Sequence, residues 1–197
     1  NMSRLGSKDV VGSDQNQCIW EVGIPEGYVA GDGEVFIRFG ASNLLGNVLQ
    51  VKLQGGNPQI EANTAFNAKE WYHLAFVNDG SKFYIYVNGE LDSSIDTQGK
   101  NFHFGGTFKI ARNADKGYFV AEAMVSEVRF WTKAITQQQI KDNMFAIDPN
   151  TEGLEAYWKL NEGEGYTFWD ATGHGNNGDM DGNYSVKWVH GIRSDEK

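Results

Sequence analysis

Apolar and polar residues alternate along much of the chain with the period of two that puts one face of a β-strand into a core. Within residues 154–160, Leu154, Ala156, Trp158 and Leu160 share one face, while Glu155, Tyr157 and Lys159 share the other. Val35, Ile37 and Phe39 alternate in the same way, and Leu49, Val51 and Leu53 alternate against Gln50, Lys52 and Gln54. Residues 70–77 are apolar on both faces and predict a central strand. Asn78-Asp79-Gly80-Ser81 then reads as a turn, 83–87 as a strand, and Asn88-Gly89 as a tight hairpin, because both residues accept the left-handed region. Leu91 resumes the partner strand, and residues 102–104, 108–110 and 125–131 predict more strands. One helix is predicted: Thr136, with Gln139 three positions on, has the form of a capping box, and Ile140, Met144 and Phe145 supply an apolar stripe before Pro149. The pattern predicts an all-β, antiparallel two-sheet sandwich with one short helix.

The alternation stops at Asp170-Ala171-Thr172-Gly173-His174-Gly175-Asn176-Asn177-Gly178, which is too rich in Gly, Asn and Asp to pair regularly. Such residues tolerate positive φ and let side-chain and backbone oxygens converge. Two readings follow. Asp170, Asn176 and Asn177 supply oxygens to a hard cation such as calcium, which takes about six to eight of them. Alternatively, the same atoms hold the loop through side-chain-to-backbone hydrogen bonds with no ion.

At 197 residues the chain reads as one domain, 1–197, with 1–17 a polar leader or edge segment. Aromatics at 13% and 24 glycines against 3 prolines fit many strands joined by Gly and Asn turns around an aromatic core. A net charge of −9 argues against nucleic acid and against docking on anionic lipid. The lone Cys18 excludes an internal disulfide and reads as a small buried hydrophobe. No stretch is apolar enough to insert in a bilayer, and the first residues are not a secretory signal, so any export signal lies outside this fragment.

Catalytic patterns are missing. There is no Glu-x-Asp-x-Glu strand and no Gly-x-Ser-x-Gly elbow, and His73, His103, His174 and His190 are scattered. Glu162 and Glu164 lie in a Gly-rich turn and read as solvated carboxylates. Sugar binding asks for exposed aromatic planes with polar groups around them. If Phe83, Ile85 and Val87 face the core, Tyr84 and Tyr86 lie on the opposite face about 7 Å apart. They then form a sugar platform or pack as ordinary sheet aromatics. Trp71, Trp131 and Trp158 sit in strand patterns and read as core. Trp169, beside Asp170, and Tyr166 are the further candidate ligand contacts.

Several segments taken in order resemble a known family. They are Arg38-Phe39-Gly40, Asn47-Val48-Leu49-Gln50-Val51, Glu70-Trp71-Tyr72-His73-Leu74-Ala75, Tyr86-Val87-Asn88-Gly89, Ser126-Glu127-Val128-Arg129-Phe130-Trp131, the run from Gly153 to Gly165, and the run from Asp170 to Gly178. The chain resembles the laminin-G-like, concanavalin A-like lectin/glucanase domains appended to Bacteroidetes surface proteins. The resemblance implies a jelly-roll sandwich with ligand loops along a rim, which binds carbohydrate or, in some members, protein. It also implies calcium in some members, with Asp170 at the acidic loop position and Asn176 and Asn177 at the later amide positions. Ser126 stands where related sequences often have Asp, and His174 stands where they have Asn. The expectation is a non-catalytic, lectin-like module of a larger secreted or cell-surface protein. Its partners would be a glycan and other domains of the same polypeptide; a protein-interaction or spacer domain is the alternative.

Overall fold

The computed structural model describes residues 17–22, 35–39, 48–53, 59–67, 70–99, 108–110, 124–180 and 187–189. The expected polar leader, the strand at 102–104, the side chain of Cys18, and His103 and His190 lie outside the described residues. The chain divides into two compact units, residues 1–123 and 124–197, each described by itself.

The first unit contains β1 (Gln17–Val22), β2 (Val35–Phe39), β3 (Val48–Leu53), β4 (Gln59–Ala65), β5 (Leu74–Asn78), β6 (Lys82–Val87), β7 (Glu90–Asp96) and β8 (Phe108–Ile110). Five of these form an antiparallel sheet in the order β4-β3-β2-β1-β8, and the other three form a sheet in the order β5-β6-β7. The predicted alternation fixes the register. Val35, Ile37 and Phe39 stand opposite Leu53, Val51 and Leu49, so each pair delivers its apolar side chains to the same face. That face meets Phe83, Ile85 and Val87 of β6 in one cluster, which Ile60, Ala62 and Phe66 complete. Each such side chain taken fully out of water contributes about 1.5–3 kcal/mol.

The opposite face of the five-stranded sheet carries a polar row. Arg38, Gln50 and Glu61 are direct cross-strand neighbours on β2, β3 and β4. The Arg38 Nε–H donates to Gln50 Oε1 at 2.9 Å, and Gln50 Nε2 donates to Glu61 Oε1 at 2.8 Å. Arg38 and Gln50 are both buried, so these bonds offset the cost of their desolvation. The Asp92 carboxylate on β7 accepts from the backbone N–H groups of Asn63 and Thr64 on β4, at 2.6 and 2.9 Å, and ties the two sheets at one edge.

Two hairpins match the sequence reading. Asn88 (φ 52°) and Gly89 (φ 78°) turn β6 into β7. Asp79 joins β5 to β6, accepting from the N–H groups of Ser81 and Lys82 at 2.8 and 2.7 Å. The strand expected over 70–77 differs: β5 starts at Leu74, Trp71 is 37% exposed, and among the described residues β6 rather than β5 is central. Leu74 and Phe76 still pack on the core from this flanking strand, which explains an apolar pattern without a central position.

The second unit contains β9 (Val128–Trp131), α1 (Gln137–Asp142), β10 (Leu154–Trp158), β11 (Thr167–Phe168) and β12 (Gly178–Asp179). β9 pairs with β10 and β11 with β12, both antiparallel. The capping box at α1 is present as predicted. Gln139 N–H donates to Thr136 Oγ1 at 3.2 Å, and Thr136 N–H donates to Gln139 Oε1 at 2.9 Å. Ile140 is its buried residue, whereas Phe145 lies outside the helix and is exposed.

Candidate functional site

The second unit brings together most of the residues that the sequence marks for function, and β10 is their foundation. Leu154, Ala156 and Trp158 are buried as the alternation predicts. Tyr157, expected on the polar face, is also buried. Its ring lies under the Arg129 guanidinium, 5.0 Å away, and its hydroxyl donates to Glu127 Oε2. Burial, and then that hydrogen bond, raise the Tyr157 phenol above its ordinary range. Alternation ends at Trp158, since Leu160 turns into the left-handed region at φ 55°.

Trp158 anchors the next layer. Its ring meets Phe168 edge-on at 6.2 Å, and its Nε1–H donates to the Asn176 carbonyl at 2.6 Å. Phe168 lies directly over Gly178, where an added Cβ would come within 2.1 Å of the ring. Only glycine permits that approach between β11 and β12.

Asp170, 8% exposed, follows Trp169 and forms an isolated antiparallel bridge with Trp158 at the end of β10. Its Oδ1 accepts from the N–H groups of Tyr157 (3.1 Å) and Thr172 (3.0 Å) and from the Thr172 hydroxyl (2.7 Å), while Oδ2 accepts from the Asn176 N–H (3.1 Å). Asn177 Oδ1 in turn accepts from the Asp170 N–H at 3.0 Å, and Asn176 Nδ2 donates to the Glu155 carbonyl at 3.0 Å. These residues do not fit a calcium shell. Donors, which repel a cation, already point at both carboxylate oxygens and at the Asn177 amide oxygen, and the Asn176 carbonyl is bound to Trp158. Among the described residues no group of three or more His, Cys, Asp or Glu is placed to hold a metal. In the structure Asp170, Asn176 and Asn177 make the second of the two arrangements read from the sequence, a loop locked by side-chain hydrogen bonds. Thr172 is the partner missed at the sequence level. The signal was Asp-x-Thr, in which a carboxylate commonly accepts from the N–H two residues on.

Burial opposes ionisation of Asp170, but the Thr172 hydroxyl and the three N–H groups outweigh it and hold the carboxyl below its usual range. Asp79 is lowered as well, first by the Lys82 and Ser81 N–H groups. A carboxyl lowered on folding contributes stability that is complete above its unfolded pKa, about 4, and lost as pH falls through the lower folded value. The urea midpoint is therefore expected to drop steadily below about pH 4. Asp170→Asn should flatten part of that slope; an unchanged slope would show that the carboxylate is not held as described.

The predicted aromatic contacts separate into two groups. Tyr84 and Tyr86 belong to the first unit, with rings 6.2 Å apart and tilted by 31°. Tyr86 is only 8% exposed, and the Tyr84 hydroxyl donates to Asp79 at 2.9 Å. Tyr86 is thus covered while Tyr84 is half-buried and tied to Asp79, so the two rings pack together as sheet aromatics. Tyr166 and Trp169 flank β11 and are 71% and 60% exposed. The segment that carries them is closed by the Trp169 N–H, which donates to Glu162 Oε1 at 2.9 Å. It is held from a second side by Trp188 Nε1–H, which donates to the Gly165 carbonyl at 2.9 Å. Glu162, read from sequence as a solvated turn residue, is thus built into this loop. Exposed aromatics on a hydrogen-bonded frame can stack on the apolar face of a sugar ring, with neighbouring polar groups meeting its hydroxyls.

A family model described as the concanavalin A-like lectin/glucanases superfamily matches residues 12–141. No curated protein matches the chain. Among solved structures, a proposed carbohydrate-binding protein of Bacteroides ovatus ATCC 8483 is 27% identical, with a TM-score of 0.63. The match covers 84% of this chain and 53% of that one, so the chain spans about half of its length. An S-layer domain-containing protein of Clostridium thermocellum ATCC 27405 is 18% identical over 68% of this chain and 64% of its own, with a TM-score of 0.30.

Proposed function

We propose that this chain, which belongs to the concanavalin A-like lectin/glucanase superfamily, is a non-catalytic glycan-binding module of a larger secreted or cell-surface protein. The observation that carries the reading is the pair of exposed rings, Tyr166 and Trp169, on a segment fixed by the Glu162 and Trp188 hydrogen bonds. Likeness to the Bacteroides ovatus protein supports the choice of ligand. Preformed rings lose little freedom on docking, so binding energy is not consumed in ordering the loop. Affinity at a single site of this kind is weak, and useful retention comes from neighbouring domains acting together. No described helix is long and apolar enough to cross a membrane.

A glycan array followed by calorimetry on the best hit tests the reading. Wild type should bind a subset of glycans, with the same affinity in EDTA and in calcium, and Trp169→Ala should weaken that binding at least about tenfold. Silence across the array would favour a protein-interaction or spacer domain. Release of reducing ends from any polysaccharide would overturn the non-catalytic assignment.

A further inference from the structure

We propose that Glu162 makes the surface around the exposed Trp169 selective for neutral glycans over acidic ones, an inference that rests on the glycan-binding reading above. The Glu162 carboxylate has two unlike oxygens. Oε1 accepts from the Trp169 N–H at 2.9 Å, which fixes the group to the main chain of the residue that carries the exposed indole. Oε2 is covered and has no hydrogen-bond partner. A buried carboxylate oxygen without a donor is costly, and a donor brought to it is correspondingly favourable. The glutamate is only partly buried, and a sugar hydroxyl that reaches Oε2 supplies the missing hydrogen.

The same geometry rejects anions. A uronate, sialate or sulfate set against Glu162 brings like charges together with no donor between them. Glu164, exposed two residues on, and Asp179, whose Oδ1 accepts from the Thr167 hydroxyl at 2.8 Å, add negative charge to the β11–β12 segment. Lys159 lies 5.8 Å from the Tyr157 ring centre, and neither it nor Lys187, beside the tethering Trp188, pairs with Glu162. The chain as a whole carries −9.

The test uses the whole chain and matched oligosaccharide pairs: N-acetyllactosamine with and without sialic acid, and xylo-oligosaccharides with and without glucuronic acid side groups. Wherever a pair binds, the neutral member should bind about tenfold more tightly or better. Glu162→Gln keeps the size of the side chain and an acceptor oxygen, and should shrink the difference to less than about threefold; Glu152→Gln, at an exposed carboxylate paired with Lys133, serves as the surface control and should leave the difference in place. Circular dichroism and tryptophan fluorescence establish that each variant is folded. Equal or tighter binding of the acidic members by wild type, or an undiminished preference in Glu162→Gln, would overturn the proposal while leaving the glycan reading intact. No binding to any member, together with a silent array, would overturn the glycan reading itself.

Discussion

Asp170→Ala is expected to destabilise the chain by about 3–5 kcal/mol, a large effect for one side chain. The substitution removes an acceptor that serves four donors at once, the N–H groups of Tyr157, Thr172 and Asn176 and the Thr172 hydroxyl. Each donor left unpaired in a covered position costs about 1–3 kcal/mol, and water entering the loosened loop recovers part of the total. Urea unfolding should show a lower midpoint, and the thermal midpoint should fall by about 10 °C for a chain of this size. Asp170→Asn should fall between the two, because one amide oxygen still accepts. Calcium separates this account from a metal site: adding calcium or EDTA should leave the wild-type midpoint unchanged. A calcium-dependent rise that vanishes in Asp170→Asn would show that an ion, rather than the N–H groups, neutralises the carboxylate.

The second large effect is expected at Phe66→Ala, at about 3–5 kcal/mol. Phe66 is 1% exposed and sits edge-on to Phe39 at 5.1 Å and to Tyr72 at 4.8 Å. Deleting the ring removes both contacts and leaves a cavity lined by β2 and by the segment leading into β5. That segment is pinned where the Tyr72 hydroxyl accepts from the Asn67 N–H at 3.0 Å and donates to Glu70 at 2.6 Å, so the walls cannot close easily. Phe66→Leu, which refills most of the space, should cost less than half as much. An unchanged midpoint for Phe66→Ala would mean that the space above β4 is not a packed core.

Phe66 also marks the boundary of what the pattern of residues reveals. Val35, Ile37 and Phe39, and Leu49, Val51 and Leu53, are legible as strands because burial on one face repeats every second residue. β4 is not, since Ile60 and Ala62 are its only buried apolar residues and Glu61, Asn63 and Thr64 surround them. Its place is set by non-local bonds, Gln50 to Glu61 on one side and Asp92 to Asn63 and Thr64 on the other. The Asp170 loop was legible as a convergence of oxygens, but its two readings differ only in where N–H groups point, which residue types do not encode. The exposure of Trp169 and Tyr166 against the burial of Tyr86 was equally hidden, because parity sorts residues into faces without saying which face water meets. Glu162 was misread for a related reason: its partner, the Trp169 N–H, is a main-chain group that any residue would have supplied.

The row Arg38–Gln50–Glu61 has a bearing on how the strands find one another. Sliding β3 by a single position would set Leu49 or Val51 against Arg38, leaving a guanidinium among hydrocarbon and turning aliphatic side chains outward. Misaligned pairings are thus penalised twice, on both surfaces of the sheet. The trio works as a key cut for one alignment, so that the nascent sheet rejects its near neighbours as well as favouring the native arrangement.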